Sequence, residues 1–377
     1  MSKTLQDYAT LINDTIQSNE INHYITTDNM CQNLGGIDTF KNINIPQGKV
    51  RSFQKDDILL SNIRLYFRKV YRAKQKGGCS SDVLVFRAKH IDSATLFAIL
   101  SSQIFTDYAC SGSQGSKMPR GNKTHMMDFK IPTINFTIAK IFNSIQNKIE
   151  NNHKINELLH KILELLYEQY FVRFDFLDEN NKPYQTSGGK MKFSKELNRL
   201  IPSGWSVRFL NHKIVSTYQP KTISKTLLND SYSYSVYGGG GIIGRFTEYN
   251  HEQSEFIISC RGQCGISYLT LPKSWITGNA MVIRPTKSYT SKTYLYHTIK
   301  KYKLTNYITG SVQPQITRQN LSTMPILIPK RKTLNKWNNI SSLLWNLIHS
   351  NMQSTQTLIA LRDFLLPLLL KQQVKPQ

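Results

Sequence analysis

The segment from Ile134 to Phe171 contains neither proline nor glycine, and it constrains the fold of this chain more than any other feature. A helix over this segment would have about 38 residues and would run about 57 Å at 1.5 Å per residue. Because ordinary globular helices are much shorter, this length predicts a coiled coil. Apolar residues recur in it at steps of three and four, as on a heptad seam: Ile138, Ile141, Ile145, Ile155, Leu159, Ile162 and Leu166.

A second long segment of this kind runs from Leu334 to Leu370, and Pro367 predicts a kink or an early stop near its end. Each segment holds one seven-residue ladder with asparagine at its centre: Ile138, Ile145, Asn152, Leu159 and Leu166, and Trp337, Leu344, Asn351, Leu358 and Leu365. A lone asparagine on a seam lowers stability but can fix the register of two helices. One hypothesis is that Asn152 and Asn351 set the register where two antiparallel helices cross, and the alternative is that each faces solvent.

The positive charge of the chain lies mainly outside these two segments. The chain has 48 lysines and arginines against 24 acidic residues, a net charge of +24. Between residues 136 and 170, four lysines balance four glutamates, and between 333 and 371 the net charge is only +2. The other segments therefore indicate a polyanionic partner, with nucleic acid as the first candidate and a membrane surface as the alternative.

Cysteine usage and hydropathy exclude several other classes of protein. The five cysteines include no CxxC pair, so the spacing of a zinc site is missing and no metal is expected. Reduced thiols and the mixed polar start of the chain, which is unlike a signal peptide, predict a cytoplasmic protein. The apolar run from Phe364 to Leu370 is too short to span a membrane, so no membrane partner is expected.

Several segments recur in the same order about 197 residues later, which indicates an internal repeat. The matched pairs are Asp57–Ser61 with Glu255–Ser259, Val83–Arg87 with Ala280–Arg284, Gly115-Ser116-x-x-Pro119 with Gly310-Ser311-x-x-Pro314, and Ile131-Pro132 with Ile328-Pro329. The first two pairs predict buried strands. Helices are predicted over Thr4–Asp14, Thr95–Thr106 and Tyr294–Lys303. The segment Val207–Ile214 is predicted to repeat the helix at Thr4–Asp14, and Tyr237–Gly241 is predicted to be a flexible loop.

The predicted fold is therefore α+β, with a pseudo-two-fold internal repeat. Two globular mixed α/β modules alternate with two long helices that pack as an antiparallel coiled coil. The predicted boundaries are a first module at 1–133, a first helix at 134–172, a linker at 173–204, a second module at 205–330, and a second helix with a C-terminal tail at 331–377. Two basic modules on one chain suit duplex DNA, whose backbone is also pseudo-symmetric, and each module would read its own short sequence.

Reading DNA directly requires side chains that reach base edges, such as arginine for guanine and asparagine or glutamine for adenine. In the first module the candidates are Arg64, Arg68, Lys117, Arg120, Asn122 and Lys123. In the second module they are Tyr237, Gly239, Arg245, Arg261, Gln263, Gln313, Gln315 and Arg318. As a set these loops are predicted to supply most phosphate and base contacts, although any single residue could simply be a solvated surface residue.

The sequence resembles the specificity subunits of type I restriction-modification enzymes over essentially its whole length. The motifs that carry the resemblance read LYEQYFVRFDF at 166–176, DENNKPY at 178–184, SGGKM at 187–191, IPSGW at 201–205, VYGGGG at 236–241, RGQCG at 261–265 and the Gly310-Ser311-x-x-Pro314 loop. The first module departs from the family pattern because it has no clear Tyr-Gly-Gly loop.

This resemblance implies two target recognition domains that read a bipartite site on double-stranded DNA, and two helices that act as a spacer. It implies two methyltransferase subunits as partners, joined in the restriction complex by two motor-nuclease subunits. S-adenosylmethionine, ATP and magnesium are then expected in those partners, and no cofactor is expected in this chain. It also implies a role in DNA methylation and host defence.

Two other functions are weighed against this one. For an enzyme, Asn181-Lys182-Pro183-Tyr184 lacks the first proline of the Asn-Pro-Pro-Tyr motif of amino-methyltransferases, and no Gly-Lys-Ser/Thr follows the four glycines at 238–241. A coiled-coil adaptor with non-specific DNA affinity is the other alternative. It leaves the excess charge of the globular modules unexplained.

Overall fold

The computed structural model describes residues 3–38, 43–131, 134–229, 232–262, 264–310 and 313–369. Up to the end of the first long helix, the elements are α1 (Leu5–Tyr8), β1 (Ala9–Ile12), β2 (Thr15–Gln17), β3 (Tyr24–Ile25), β4 (Lys49–Phe53), β5 (Ile58–Ser61), β6 (Val70–Arg72), β7 (Gly77–Cys79), β8 (Val83–Ala88), α2 (Ser93–Leu100), α3 (Gln103–Ser111), α4 (Lys123–Met127) and α5 (Phe136–Tyr167).

After α5 the elements are β9 (Met191–Ser194), β10 (Arg199–Pro202), β11 (Ser206–Phe209), β12 (Val215–Tyr218), β13 (Tyr234–Gly238), β14 (Gly241–Phe246), β15 (Phe256–Ser259), β16 (Ser267–Leu269), β17 (Trp275–Ile276), β18 (Ala280–Pro285), α6 (Lys292–Lys300), β19 (Ile308–Thr309), β20 (Gln315–Ile316), α7 (Arg318–Leu321), β21 (Pro325–Ile328) and α8 (Arg331–Leu365).

The chain divides into two compact units. The first unit contains Met1–Ile155 together with Asn351–Gln377, and the second unit contains Asn156–Ser350. The divisions fall within α5 and α8, so each unit includes one module and part of each long helix. The module boundaries predicted from the sequence stay predictions.

The internal repeat is visible in the sheets. In the first unit an antiparallel sheet has the strand order β1-β8-β5-β6, and in the second unit another has the matching order β12-β18-β15-β16. The central strands β5 and β15 are buried along their whole length, as their apolar runs predict. Leu59 pairs with Val85 in the first sheet, and Ile257 pairs with Val282 in the second. The predicted α+β fold with two related modules is confirmed.

Three local predictions are wrong where sheet pairing competes with helix or loop. The helix predicted over Thr4–Asp14 ends at Tyr8, because the next four residues pair with β8. The helix predicted over Val207–Ile214 is replaced by β11, which pairs with β21. The loop predicted over Tyr237–Gly241 is the tip of the β13–β14 hairpin. One turn of helix is costly to nucleate, whereas an existing sheet edge offers ready hydrogen bonds.

The helix predicted over Thr95–Thr106 is two helices, α2 and α3. The break falls at Ser102, whose hydroxyl oxygen accepts a hydrogen bond from the amide of Phe105 at 3.2 Å and so caps α3. Asp92 caps α2 in the same way. The core of the first unit packs these helices against the sheet, and Phe142 of α5 and Leu366 after α8 join it.

The core of the second unit is rich in aromatic side chains. Phe171 packs on Trp205, Tyr294 and Trp337, with ring centroids 4.7 to 5.9 Å apart. Phe176, from the predicted linker 173–204, stacks on Trp205 at 5.2 Å. This segment also contains the β9–β10 hairpin, so it has regular structure of its own.

The two long helices pack against each other in antiparallel directions. In the first unit Asn152 contacts Thr355, and in the second unit His160 packs on Trp345. α5 continues into a π-helical turn at Glu168–Val172. α8 ends at Leu365, just before Pro367, as predicted.

The predicted seam of α5 is only partly correct. Ile141, Ile155 and Ile162 are exposed, whereas the buried apolar positions of the helix include Phe142, Ile149, Leu163 and Tyr167. The seven-residue ladder is not exposed at any position: Ile145 and Asn152 are buried, and Ile138, Leu159 and Leu166 are half-buried. A straight helix has 3.6 residues per turn, so the other seam positions drift out of the buried stripe.

Among the residues in the described ranges, no helix combines the length and the apolar character needed to cross a lipid bilayer. The same residues include no cluster of three or more histidine, cysteine or acidic side chains arranged to hold a metal ion. The five cysteines are free thiols.

Candidate nucleic-acid interface

In the second module, two loops meet beside the turn of the β13–β14 hairpin. Arg261, two residues after β15, forms a backbone bridge with Gln315 of β20. Gly239 lies in the hairpin turn, and a Cβ atom there would come within 3.0 Å of the carbonyl oxygen of Arg261. The lack of a side chain at Gly239 therefore allows the three segments to come together.

The first module has a similar meeting point. Ile63, two residues after β5, forms a backbone bridge with Arg120, which also bridges to Gln114. The amide of Arg64 donates to the carbonyl oxygen of Pro119 at 2.9 Å, and its Nη2 donates to that of Lys117 at 3.2 Å. Arg64 therefore holds the loop on both sides of position 118.

These two meeting points are equivalent in the internal repeat. Ile63 corresponds to Arg261 at an offset of 198, and Arg120 corresponds to Gln315 at an offset of 195. Each point follows the central strand of its sheet and precedes a short helix, α4 or α7. We call them the first edge, with Arg64, Lys117, Arg120 and Lys123, and the second edge, with Gly239, Arg261, Gln313, Gln315 and Arg318.

Most candidate side chains on the two edges are exposed. Lys117, Arg120 and Lys123 are exposed on the first edge, and Arg64 is half-buried. Arg120 pairs with Asp82 at 3.0 Å, but its side chain remains 63% exposed. Since exposed ion pairs contribute little to stability, Arg120 can exchange this partner for a group on DNA at low cost.

The second edge presents neutral amide side chains beside its two arginines, whereas the first edge is entirely basic. Its exposed members are Arg261, Gln313, Gln315 and Arg318. Gln263 belongs to the same loop as Arg261 but lies outside the described residues. Glutamine can donate and accept hydrogen bonds on an adenine edge, and arginine can donate two bonds to guanine. The second edge therefore offers the chemistry that base recognition requires.

Tyr237 is a correction to the predicted set. Its side chain is buried, and its hydroxyl oxygen accepts a hydrogen bond from the amide of Leu271 at 3.0 Å. Burial raises the pKa of the phenol to about 12. Tyr237 is therefore part of the core of the second module, and Gly239 and Gly240, not its ring, reach the surface.

Three further candidates already make hydrogen bonds within their modules. The Nη2 of Arg68 donates to the carbonyl oxygen of Ser101 at 2.9 Å, and burial lowers the pKa of this guanidinium. Arg245 donates to the carbonyl oxygen of Ser233. The side-chain oxygen of Asn122 accepts from the amide of His125 at 3.1 Å and caps α4. Any contact of these residues with DNA would compete with these bonds.

An ion pair lies at the start of each central strand, and the sequence analysis did not predict it. The buried carboxylate of Asp57 receives two hydrogen bonds of 2.8 Å from Arg87. At the equivalent place Arg284 donates to Glu255 at 2.6 and 3.1 Å. These hydrogen bonds raise the pKa of both guanidinium groups. All four residues lie in the repeated segments, and this was the signal that could have revealed the pairs.

Polar residues are buried where the two long helices meet in the first unit. The Nδ2 of Asn152 donates to the hydroxyl oxygen of Thr355 at 3.2 Å, and Asn152 is buried. The Nη1 of the buried Arg362 donates to Gln146 Oε1 at 3.2 Å. Asn351 is half-buried. The register role of Asn152 and Asn351 stays a prediction.

Both long helices also carry exposed apolar side chains. In the second unit these include Leu158 and Leu165 on α5 and Leu343 and Leu347 on α8, each more than half exposed. Their spacing of seven and four residues places each pair on one face of its helix. Exposed apolar stripes of this kind mark surfaces for protein partners.

One part of the chain, from the end of β10 into α8, matches a known family model. Residues 202–360 match the family model described as Type I restriction modification DNA specificity domain. The chain is 21% identical over 310 residues to the Type I restriction enzyme MjaIX specificity subunit of Methanocaldococcus jannaschii. This alignment covers 72% of the present chain and 67% of that protein.

The fold agrees with a solved structure of the same description. The type-I restriction-modification system S subunit from M. genitalium matches with a TM-score of 0.63 and 15% identity, covering 99% of this chain and 96% of that one. At this identity the likeness concerns the fold alone. The HsdS subunit from Thermoanaerobacter tengcongensis has a TM-score of only 0.35 at 15% identity, over 98% and 95% of the two chains.

Proposed function

We propose that this chain, which belongs to the specificity subunits of type I restriction-modification systems, reads a bipartite DNA site with one module on each half. As a member of that family it is a DNA-recognition subunit and not an enzyme. The observation that carries the proposal is the pair of equivalent edges. Each module presents exposed basic or amide side chains at the same place in the same fold, so the chain has two reading surfaces.

The two edges differ in the side chains that would reach the bases. Arg120 of the first edge stands where the second edge has Gln315. Arginine favours guanine, whereas glutamine favours adenine, so the two halves of the site should differ in sequence. The shared fold supports similar docking, and the different side chains support different readout.

We assign the long helices two tasks. They would set the number of unread bases between the halves, and they would bind methyltransferase subunits. The exposed leucines of α5 and α8 support the second task, because an isolated chain would leave these apolar faces in water. The near-neutral charge of the helices also argues against their contact with DNA.

The proposed assembly contains two methyltransferase subunits, one for each half-site, and two motor-nuclease subunits where the system restricts DNA. S-adenosylmethionine, ATP and magnesium would be bound by these partners. The setting we propose is the cytoplasm, where the host DNA that the complex methylates is located.

The test is to co-express the chain with its methyltransferase partner and to map methylated positions in the host DNA. We expect a split motif, with two short defined blocks around a fixed number of unspecified bases. A continuous motif, or no new methylation despite a stable complex, would contradict the proposal of a bipartite site. It would favour the alternative of a coiled-coil adaptor with non-specific DNA affinity.

Paired variants test which module reads which block. Gln315→Ala should relax one block of the motif and leave the other unchanged, and Arg120→Ala should do the reverse. Lys89→Ala is the matched control, since Lys89 is exposed on the first module but belongs to neither edge. If Gln315→Ala and Arg120→Ala relax the same block, the assignment of one module to each half is wrong.

A further inference from the structure

Met118 is an exposed apolar residue in the middle of a basic loop. Its side chain is 56% exposed and lies between Lys117 and Arg120 in the first edge. The polar contacts that hold this loop are made by backbone groups and by the side chains of Arg64 and Arg120, so none of them involves the methionine side chain. A single exposed apolar residue is ordinary on a protein surface, so it is the position of Met118 within the first edge that makes it a candidate for DNA contact.

The backbone around Met118 is firmly held. Gln114 and Arg120 exchange two backbone hydrogen bonds of 2.8 and 2.9 Å and close the loop. Arg64 donates to the carbonyl oxygens of the residues on either side of Met118, those of Lys117 and Pro119. The loop therefore presents Met118 in a defined position, as specific recognition requires.

Met118 occupies the place of Gln313 in the second module. At the offset of 195, Gly115 corresponds to Gly310, and both glycines have a left-handed φ, 98° and 90°. A Cβ atom placed on Gly115 would lie nearest to the carbonyl oxygen of Met118, at 3.6 Å. A Cβ atom placed on Gly310 would lie nearest to the carbonyl oxygen of Gln313, at 2.5 Å. The two glycines therefore share a backbone conformation and an equivalent nearest neighbour, and the side chain three residues later differs between the loops.

Methionine restricts the bases that such a position can read. Its side chain has no hydrogen-bond donor and only a weak acceptor, so it cannot recognise the polar edges of adenine, guanine or cytosine. The one apolar group that a base pair presents in the major groove is the C5-methyl group of thymine. The thioether chain is flexible and polarizable, which suits contact with a methyl group.

We propose that Met118 is a specificity-determining residue of the first module and that it contacts the methyl group of a thymine in that module's half-site. This inference rests on the proposed function and deepens it. The equivalent Gln313 makes a polar base contact in the other half-site. The two modules thus use one loop position to read different bases.

The experiment measures DNA binding by the assembled complex of the full chain and its methyltransferase subunits. Once the methylation motif gives the half-site of the first module, each thymine on either strand is replaced in turn by deoxyuridine, which lacks only the methyl group. We expect one replacement to weaken binding roughly fourfold, the effect of removing one buried methyl group. In the other half-site, the effect of each deoxyuridine replacement on binding should be the same whichever residue occupies position 118.

Two variants make the test specific to this side chain. The complex with Met118→Ala should bind the thymine and deoxyuridine duplexes equally well, whereas Met118→Leu, which remains apolar, should keep a preference for thymine. Because the loop is held by backbone bonds and by Arg64, neither variant disturbs its fold. Gln313→Ala is the matched control and should leave the deoxyuridine effect in the first half-site unchanged.

The outcomes separate this inference from the proposed function. If the split motif is present but no deoxyuridine replacement weakens binding, or the Met118→Ala complex keeps the full preference for thymine, Met118 does not read a thymine methyl group. A half-site of the first module without any A·T pair would overturn the inference in the same way. A complex that writes no split motif would overturn both proposals.

Discussion

Asp57 and Glu255 show how two copies of a module keep the same internal interaction while their surfaces differ. Each carboxylate is buried at the start of a central strand and is paired with an arginine of the neighbouring strand in the sheet, Arg87 of β8 or Arg284 of β18. A buried carboxylate without a partner is costly, so both members of a pair must be retained together. The pairs therefore hold the central strands in place, and each of these strands leads to one edge.

Replacing Arg87 with methionine should lower the unfolding free energy of the first unit by about 2 kcal/mol, less than for a fully buried pair because Arg87 is partly exposed. All four tryptophans, Trp205, Trp275, Trp337 and Trp345, lie in the second unit. In urea, Arg87→Met should therefore shift the circular dichroism transition but not the tryptophan fluorescence transition. Arg284→Met should shift both.

Lys89→Met provides the control for that pair of variants, since it removes an exposed positive charge near Arg87 without uncovering a buried carboxylate. It should leave both transitions in place. An equal fluorescence shift for Arg87→Met and Arg284→Met would show that the two units do not unfold separately and would contradict the prediction.

His297 of the second unit makes stability depend on pH. It is buried against Tyr167 and Trp337, and burial, together with the nearby Lys300, lowers its pKa to about 3. In the unfolded chain its pKa returns to about 6.5. As pH falls below that value, the unfolded state takes up a proton that the folded state does not, so the folded state loses stability between pH 6.5 and 3.

We expect this histidine alone to remove about 1.4 kcal/mol of unfolding free energy between pH 7.5 and pH 5.5. His297→Phe keeps the ring and removes the titration, so its loss over the same range should be smaller by that amount. Urea unfolding followed by tryptophan fluorescence measures both proteins. Equal losses in the two would mean that His297 takes up its proton over the same pH range in the folded and unfolded states, which would contradict the prediction. Burial also lowers the pKa of His349, to about 4, so this histidine adds a loss of stability of the same sign. We expect its contribution to be the same in the wild type and in His297→Phe.

At the scale of elements, the long helices combine apolar packing with a few buried polar pairs. In the first unit Asn152 bonds to Thr355 and Gln146 bonds to Arg362 across the helix pair. Displacing one helix by a turn would bury these groups without partners, at about 1–3 kcal/mol for each unpaired group. Polar pairs therefore favour one register over others, where apolar contacts alone would tolerate several.

A double-mutant cycle on Asn152 and Thr355 tests this view of the register. Asn152→Ala and Thr355→Ala should each destabilise the first unit, and the double variant should be less destabilised than their sum by about 1 kcal/mol. Circular dichroism in urea gives the three free energies. Thr357 is the control, because its hydroxyl donates to Gln353 within its own helix. Coupling of Asn152 to Thr357 as large as to Thr355 would contradict a specific pair.

At the scale of the molecule, the sequence predicted the repeat and its central strands almost to the residue. The strands predicted over Asp57–Ser61 and Glu255–Ser259 are observed as β5 and β15. Each run has three consecutive apolar residues at its centre, so the burial of these strands follows from local composition. The helix predicted over Thr4–Asp14 was wrong because its end pairs with β8, some 75 residues away, and no local pattern records that partner.

The candidate site was predictable in its loops but not in its side chains. The repeat located the two loops before α4 and α7, which the structure brings to equivalent edges. It could not separate Lys117, which is exposed, from Tyr237, whose hydroxyl accepts a bond from Leu271 in the core. Met118 was missed because an apolar residue in a polar loop matches no hydrogen-bonding pattern. Only its equivalence to Gln313 points to it.

Equivalent positions on the two edges keep their charge in one case and differ in charge in another. The duplex backbone is the same in every half-site, so residues that contact phosphate should keep their charge in both modules, whereas residues that read bases should vary. At the first position of α4 and α7 the modules have Lys123 and Arg318, which keep the charge but not the shape. Arg120 and Gln315 do not keep the charge. We therefore expect Lys123 and Arg318 to contact phosphate.

This division predicts the salt dependence of DNA binding. Affinity falls as salt concentration rises, and each phosphate contact makes this dependence steeper. Lys123→Gln and Arg318→Gln should each make the slope of log affinity against log salt concentration less steep by about one, and the double variant by about two, since each removes one released counterion. The methylation motif should stay unchanged in all three, because phosphate contacts carry no sequence information. Filter binding by the assembled complex over a range of salt concentrations measures the slopes. Arg120→Ala, in contrast, should alter one block of the motif, and a motif altered by Lys123→Gln would place that lysine on a base instead.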